Sequence, residues 1–330
     1  MPYLSAYPRG GQIALLCEGD LIGYEATLFQ KWTGAELGTA PLVDIWPCGT
    51  KNSIFGISDS IGRSRPIFII EDRDFRSMDE SRDDCRRNKN DRERRDIKVV
   101  AWCAWIRCEI ENYLLEPDVL LPVFREAFRC TDDDIVLAVN EILPALALYQ
   151  AAQHVRYRAQ RQWVSTDPVG ALLSGLKAGP SWDDNERTIV PPDEVAFRAG
   201  LDQNSRSWIE QMHLMQCDVV RDFDAQLVLW RNCQWHDASW RSDWAGKEIL
   251  HWLRVALTSR FGWPIDGDPD RRQTLIWTLN RTRREAQDRA IESALRPRMI
   301  DRFLASLPSL PREIQDEFSE MKDAIKSRQV

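Results

Sequence analysis

The chain has 330 residues, of which 43% are hydrophobic and 29% charged, with a formal net charge of −7. That length suits one large domain or two ordinary ones, the balance is globular, and an acidic total argues against a passive nucleic-acid coat. No apolar run approaches the ~20 residues that cross a bilayer, and residues 1–11 lack a basic start followed by an apolar stretch. With eight cysteines in no paired spacing, a cytoplasmic protein without a membrane partner is expected.

The first strand is Gln12–Cys17, with Glu18-Gly19-Asp20 at its end. Residues 21–33 place Leu21, Ile22, Leu28, Phe29 and Trp32 on one face of a helix. Pro41–Pro47 reads as a second strand, Cys48–Ser53 as a turn, and Ile54–Ile61 as a second helix. Pro66 opens the apolar run Ile67–Ile70, a buried third strand. Ser77–Asp96 is charged and almost without apolar residues, so an exposed, partly disordered loop is expected. Ile97–Cys103 is a fourth strand, followed by Glu109–Glu116 and Pro117.

Strands alternating with short helices predict a small parallel β-sheet with helices on both faces, an α/β core over residues 10–130. From Thr131 a helix runs towards Trp163, bent near Pro144. Residues 164–192 are broken by Gly170, Gly175, Gly179, Pro180, Pro191 and Pro192 and read as a linker or irregular insertion. Helices are expected over Asp193–Trp230, from the Ser242-Asp243 cap through Leu257, over Asp270–Leu304, and from Pro311 to Ile325. Residues 131–330 therefore form a mostly α-helical region, fit for a substrate clamp, an oligomerisation surface or partner docking.

The chemistry concentrates where the third strand ends in Glu71, Asp72, Arg73 and Asp74. Side chains two apart on an extended chain point the same way, so Asp72 and Asp74 would converge past the strand end, where open α/β sheets bind ligands. Carboxylates forced together repel, and a hard cation, Mg²⁺ first, relieves the repulsion. A solvated acidic turn is the alternative. Arg73 and Arg76 flank the acids, either to hold substrate phosphates or to compensate the carboxylates. Residues 76–98 carry nine Lys/Arg against seven Asp/Glu, and residues 281–302 seven against four. Each is a possible phosphate track or a solvated charged face.

Taken in order, "CEGD", "IFIIEDRD" and "EIENYLLEP" resemble the TOPRIM domain, in the form found in OLD-family nucleases and related anti-phage defence effectors of the PARIS type. The resemblance covers roughly residues 12–117. It implies Mg²⁺- or Mn²⁺-dependent cleavage of DNA or RNA, tRNA included. It assigns Glu18 to the first-strand glutamate, as metal ligand or general base, Asp72 and Asp74 to the metal-binding pair, and Glu111, with Glu109 as the other candidate, to the downstream acid. A second acid four residues after the first glutamate is missing: that position is Ile22, and Asp20 or Glu25 would substitute. Lys247, in Gly246-Lys247-Glu248, matches a late lysine that stabilises transition-state charge, or is a surface lysine in a first helical turn.

No G-x-x-x-x-G-K-[ST] motif is present, so a separate ATPase partner is expected beside nucleic acid and a possible homo-oligomer. Asp266–Asp270 fails as a calcium loop, with Arg271 and Trp277 where glycine and glutamate are needed. Cys233 and His236 lack a second ligand pair. His154, His213, His236 and His251 read as packing or surface residues. The leading expectation is a metal-dependent nuclease. The alternatives are a non-catalytic metal-binding or regulatory module, and a primase-like nucleotidyl transferase.

Overall fold

The computed structural model describes residues 13–20, 22–37, 43–162, 175–183, 188–212, 219–262 and 281–327. The chain forms two compact units, residues 1–123 with 293–330, and residues 124–292. Residues 293–330, which the sequence groups with the helical region, thus cluster with the sheet.

The first unit is built on four parallel strands, β1 Ile13–Cys17, β2 Val43–Pro47, β3 Ile67–Glu71 and β4 Val99–Ala104, in the order β2-β1-β3-β4. This is the expected α/β arrangement. β1 and β3, the central pair, are buried along their whole length, which is why they read as continuous apolar runs rather than alternating ones. One face carries Ala14, Leu16, Ile67 and Ile69 against α2 (Lys51–Ile61) and α3 (Met78–Glu93), through Ile54, Ile61 and Cys85. Leu15 and Phe68, one residue out of phase, point to the other face. Trp105, just after β4, stacks on Phe29 of α1 (Tyr24–Leu37) with ring centroids 5.7 Å apart. Fully burying an aromatic of this size contributes about 1.5–3 kcal/mol.

Ser77–Asp96 departs from its expectation. It is the helix α3, closed at its start by a capping box in which Ser77 accepts from the Glu80 backbone and Glu80 from the Ser77 backbone. Few apolar residues were needed, because Arg92 lies over the Phe55 and Trp102 rings and buries its stem there. After β4, residues Ile110–Leu115 form a short 3₁₀ helix.

Next come α4 (Pro117–Phe128) and α5 (Asp132–Gln162), which continues through Pro144. In the second unit α5 packs against α7 (Val219–Trp230) and α9 (Gly246–Phe261), and α6 (Glu194–Met212) packs against α7. The expected irregular insertion contains a short antiparallel pair, β5 Ser181–Asp183 and β6 Thr188–Val190. A five-residue helix, α8, covers Ser239–Asp243. The last helices are α10 (Arg281–Ser306) and α11 (Arg312–Lys326). Gln12, Leu21, Pro41, Trp163, His213, the Asp266–Asp270 loop and the first residues of the expected Asp270–Leu304 helix lie outside the described residues.

The stretch Asp132–Arg158 of α5 is long and apolar enough to cross a membrane, contrary to the expectation that no such run exists. Ile135, Ala138, Val139, Ile142 and Leu146 are all buried in the protein, as in a core helix.

Candidate active site

The carboxyl ends of β1 and β2 are tied together by backbone. Gly19 and Gly49, each at φ +82°, exchange hydrogen bonds of 3.0 and 2.7 Å. A side chain would be strained at either position, so the pairing depends on glycine. The two turns set Glu18 at the end of β1 and Lys51 in the first turn of α2, where Thr50 is the N-cap.

β3 stops at Glu71, and by Asp74 the chain has left the extended conformation. Asp74 has φ +53°, and its N–H donates to the Cys108 carbonyl at 3.0 Å. The expectation that Asp72 and Asp74 share one direction along an extended chain therefore fails. Asp74 turns to Lys51, whose Nζ lies 3.2 Å from its Oδ2 and 3.2 Å from Glu71 Oε1, and also donates to the Asp72 carbonyl. Burial pulls the Lys51 ammonium down, but Glu71 and Asp74 outweigh it and its pKa stands above the ordinary lysine value.

Asp72 points elsewhere. Its Oδ1 is sealed from solvent and has no hydrogen-bond partner. Burial, and then the repulsion of Glu25, Glu18, Glu109 and Glu111, raises this carboxyl well above its ordinary value. Glu25, 5% exposed on α1, is raised in the same way by burial and by Glu18, Glu111 and Glu109, although the Trp105 indole donates to it at 2.7 Å and pulls it back. Glu18 accepts from the Asp72 backbone N–H at 3.0 Å. Burial pushes Glu18 up to about 7, against the pull of Lys51 and with a further push from Asp74. Five acids from four segments, Glu18, Glu25, Asp72, Glu109 and Glu111, thus lie within electrostatic reach of one another.

Glu109 and Glu111 come from the segment after β4. Glu109 is 5% exposed, and its backbone N–H donates to Asn112 Oδ1 at 2.9 Å. The segment is braced by a buried Arg107–Glu116 ion pair at 2.5 Å. Glu317 of α11 completes the bracing, accepting from the Ile106 N–H at 2.8 Å and the Tyr113 hydroxyl at 2.5 Å.

The other expected site residues are placed as follows. Asp20 is exposed and accepts from the Ile22 N–H at 3.2 Å, closing the turn before α1. Ile22, at the position where a second acid was sought, is 70% exposed. Arg76 is 2% exposed, lies 2.7 Å from Glu71 Oε1, and donates to the backbone carbonyls of Asp72 and Arg73. Arg73 is also buried and donates to the Arg76 carbonyl at 2.7 Å. Both arginines thus donate to the loop's own backbone. Lys247 belongs to the second unit, exposed in the first turn of α9. His154 packs edge-on against Trp230, and His251 Nδ1 lies 2.8 Å from Asp288.

Sequence reasoning missed Lys51, which it placed in a turn, and named Glu25 only as a substitute acid. Glu25 stands three, four and seven residues before Leu28, Phe29 and Trp32, so it occupies a buried-stripe position, an unusual place for an acid. Lys51 is a cation in a first helical turn, where the helix dipole disfavours it. Both misfits with local preference were readable.

A hard divalent cation suits this donor set in kind. The donors are carboxylate oxygens, one has no partner, and the negative charge exceeds what Lys51 can offset. Among the described residues no three His, Cys, Asp or Glu side chains are gathered at ligating separation. No family model, curated protein or solved structure matches this chain.

Proposed function

We propose that the chain is a divalent-cation-dependent nuclease with a TOPRIM-type core, cleaving phosphodiester bonds of DNA or RNA, and that it serves as the effector of an anti-phage system with a separate ATPase partner. The observation that carries the catalytic part is the sealed, partnerless Asp72 oxygen among four further acids at the strand ends. Keeping mutually repelling carboxylates buried costs stability, and such sites are where function resides. The defence role and the partner rest on the motif resemblance alone.

Asp72, Glu18 and Glu25 would hold Mg²⁺ or Mn²⁺, with Glu109 and Glu111 as the acids of the opposing segment. The bound cation would supply charge neutralisation at the scissile phosphate and a more acidic water. Without the cation, burial holds the Glu18 carboxyl up to about 7, and a bound cation would draw it into its ionised, ligating form. Lys51 holds Asp74 and Glu71, and so fixes the loop from which Asp72 projects. Arg76 fixes the same loop from beneath through the Asp72 carbonyl.

Mn²⁺ binding measured by calorimetry, with cleavage of duplex DNA, single-stranded DNA and tRNA assayed alongside, tests the reading. Binding and cation-dependent cleavage are expected in the native chain, and both should vanish in Glu18→Ala and Asp72→Ala. Absence of Mn²⁺ binding in the native chain, or cleavage that survives both substitutions, overturns it. Polymerisation of nucleotides without cleavage would replace it with nucleotidyl transfer.

A further inference from the structure

β4 ends the sheet on one side: among the described residues it pairs with β3 and with no other strand. The Trp105 N–H donates inwards to the Glu71 carbonyl. Backbone polar groups alternate along a strand, so those of Trp102 and Ala104 face outwards. An edge of this kind is a template for a further strand unless it is blunted.

A groove of about 690 Å³ runs along this edge, between α3 and α11, with Ile70, Trp102 and Ala104 among its lining. Arg82, Arg86 and Lys89, at helical spacing on α3, form one wall. Asp316 and Glu320 of α11 stand on the other. Among the described residues neither Arg82 nor Glu320 has an ion-pair partner. Phosphate chains suit the first wall and are repelled by the second. An extended peptide suits both, because its alternate side chains point to opposite sides.

We propose that the outer edge of β4 is a docking site for an extended segment of a partner protein that carries acidic residues on one face and basic residues on the other. The segment adds a strand through the outward groups of Trp102 and Ala104, and its two faces meet the α3 and α11 walls. This inference does not rest on the nuclease reading.

The test uses the full chain and a labelled synthetic peptide repeating Glu-Lys-Val-Ile, which places Glu and Val on one face and Lys and Ile on the other. A control of the same composition mixes both charges on each face. Fluorescence anisotropy should show the alternating peptide binding at least about tenfold more tightly than the control. Hydrogen exchange at the Trp102 and Ala104 amides should slow on binding. Arg82→Glu and Glu320→Lys should each weaken binding about tenfold or more. Ala104→Pro removes an outward N–H while leaving the pairing with β3 intact, and it should abolish binding with the circular dichroism unchanged. Equal binding of the two peptides, or full binding by Ala104→Pro, overturns the proposal. So does a groove that takes an oligonucleotide instead, lost in Arg82→Glu and retained in Glu320→Lys. A concentration-dependent dimer of the native chain, broken by Ala104→Pro, would assign the edge to a second copy and overturn it too.

Discussion

Glu71 and Asp72 are neighbours in the chain and opposites in environment. Glu71, fully buried, meets Arg76, Lys51 and the Trp102 indole. Asp72 meets four other acids, and its sealed oxygen meets nothing. One residue along a strand end reverses the side-chain direction, so one carboxylate enters a neutralised pocket and the next an acidic one. Charge of one sign is a structural component when paired and a binding site when left uncompensated.

The largest effect expected from breaking this contrast is on activity. Asp72→Asn should lower cation-dependent cleavage at least about 100-fold, while raising stability by about 0.5–2 kcal/mol because a repelled charge is gone. Nuclease assay and urea denaturation of the same preparation check both signs. Loss of stability in that variant would mean that Asp72 is paired after all. On the other side of the contrast, Arg76→Met should destabilise the fold by about 3–5 kcal/mol, since it breaks the buried ion pair with Glu71, leaving that carboxylate only the partly exposed Lys51 as cation, and removes the donor to the Asp72 and Arg73 carbonyls. A shift of the urea midpoint measures it. Lys51→Met should cost less, about 1 kcal/mol, because Glu71 keeps Arg76. It should also push Glu18 further up, since Lys51 is the cation that pulls it down, and a carboxyl-labelled NMR titration would show this.

The same contrast also sets a pH slope. Glu18 rises in the folded state from an ordinary 4.5 to about 7, and Glu317 does likewise. Between those values the folded chain holds more protons than the unfolded one, so stability falls as pH rises through that window. Melting in EDTA should therefore show a Tm that declines from about pH 5 to about pH 8. Mn²⁺ should restore it at the upper end and barely act at the lower, where protons already neutralise the acids. A Tm that rises with pH in EDTA would contradict the raised carboxyl values.

Much of the core was legible because its signals are local. The four apolar runs became four parallel strands, and Glu18 and Asp72 were picked out as acids at strand ends. The Ser77–Asp96 helix was missed because part of its burial comes from the Arg92 stem lying on Phe55 and Trp102, which composition scores as polar. Asp74 was misdirected because its positive φ is imposed by the Cys108 carbonyl, a partner remote in sequence.

The amino-acid order by itself determined the strands, the glycine turns and which acids sit at strand ends, because these depend on hydrophobic runs and backbone freedom over a few residues. Only the tertiary structure decided which of those acids are neutralised. Pairing is a matter of side-chain direction and of cations such as Lys51 and Arg76, which reach Glu71 from elements on either side of β3, and of Glu25, which arrives from a helix to leave Asp72 uncompensated.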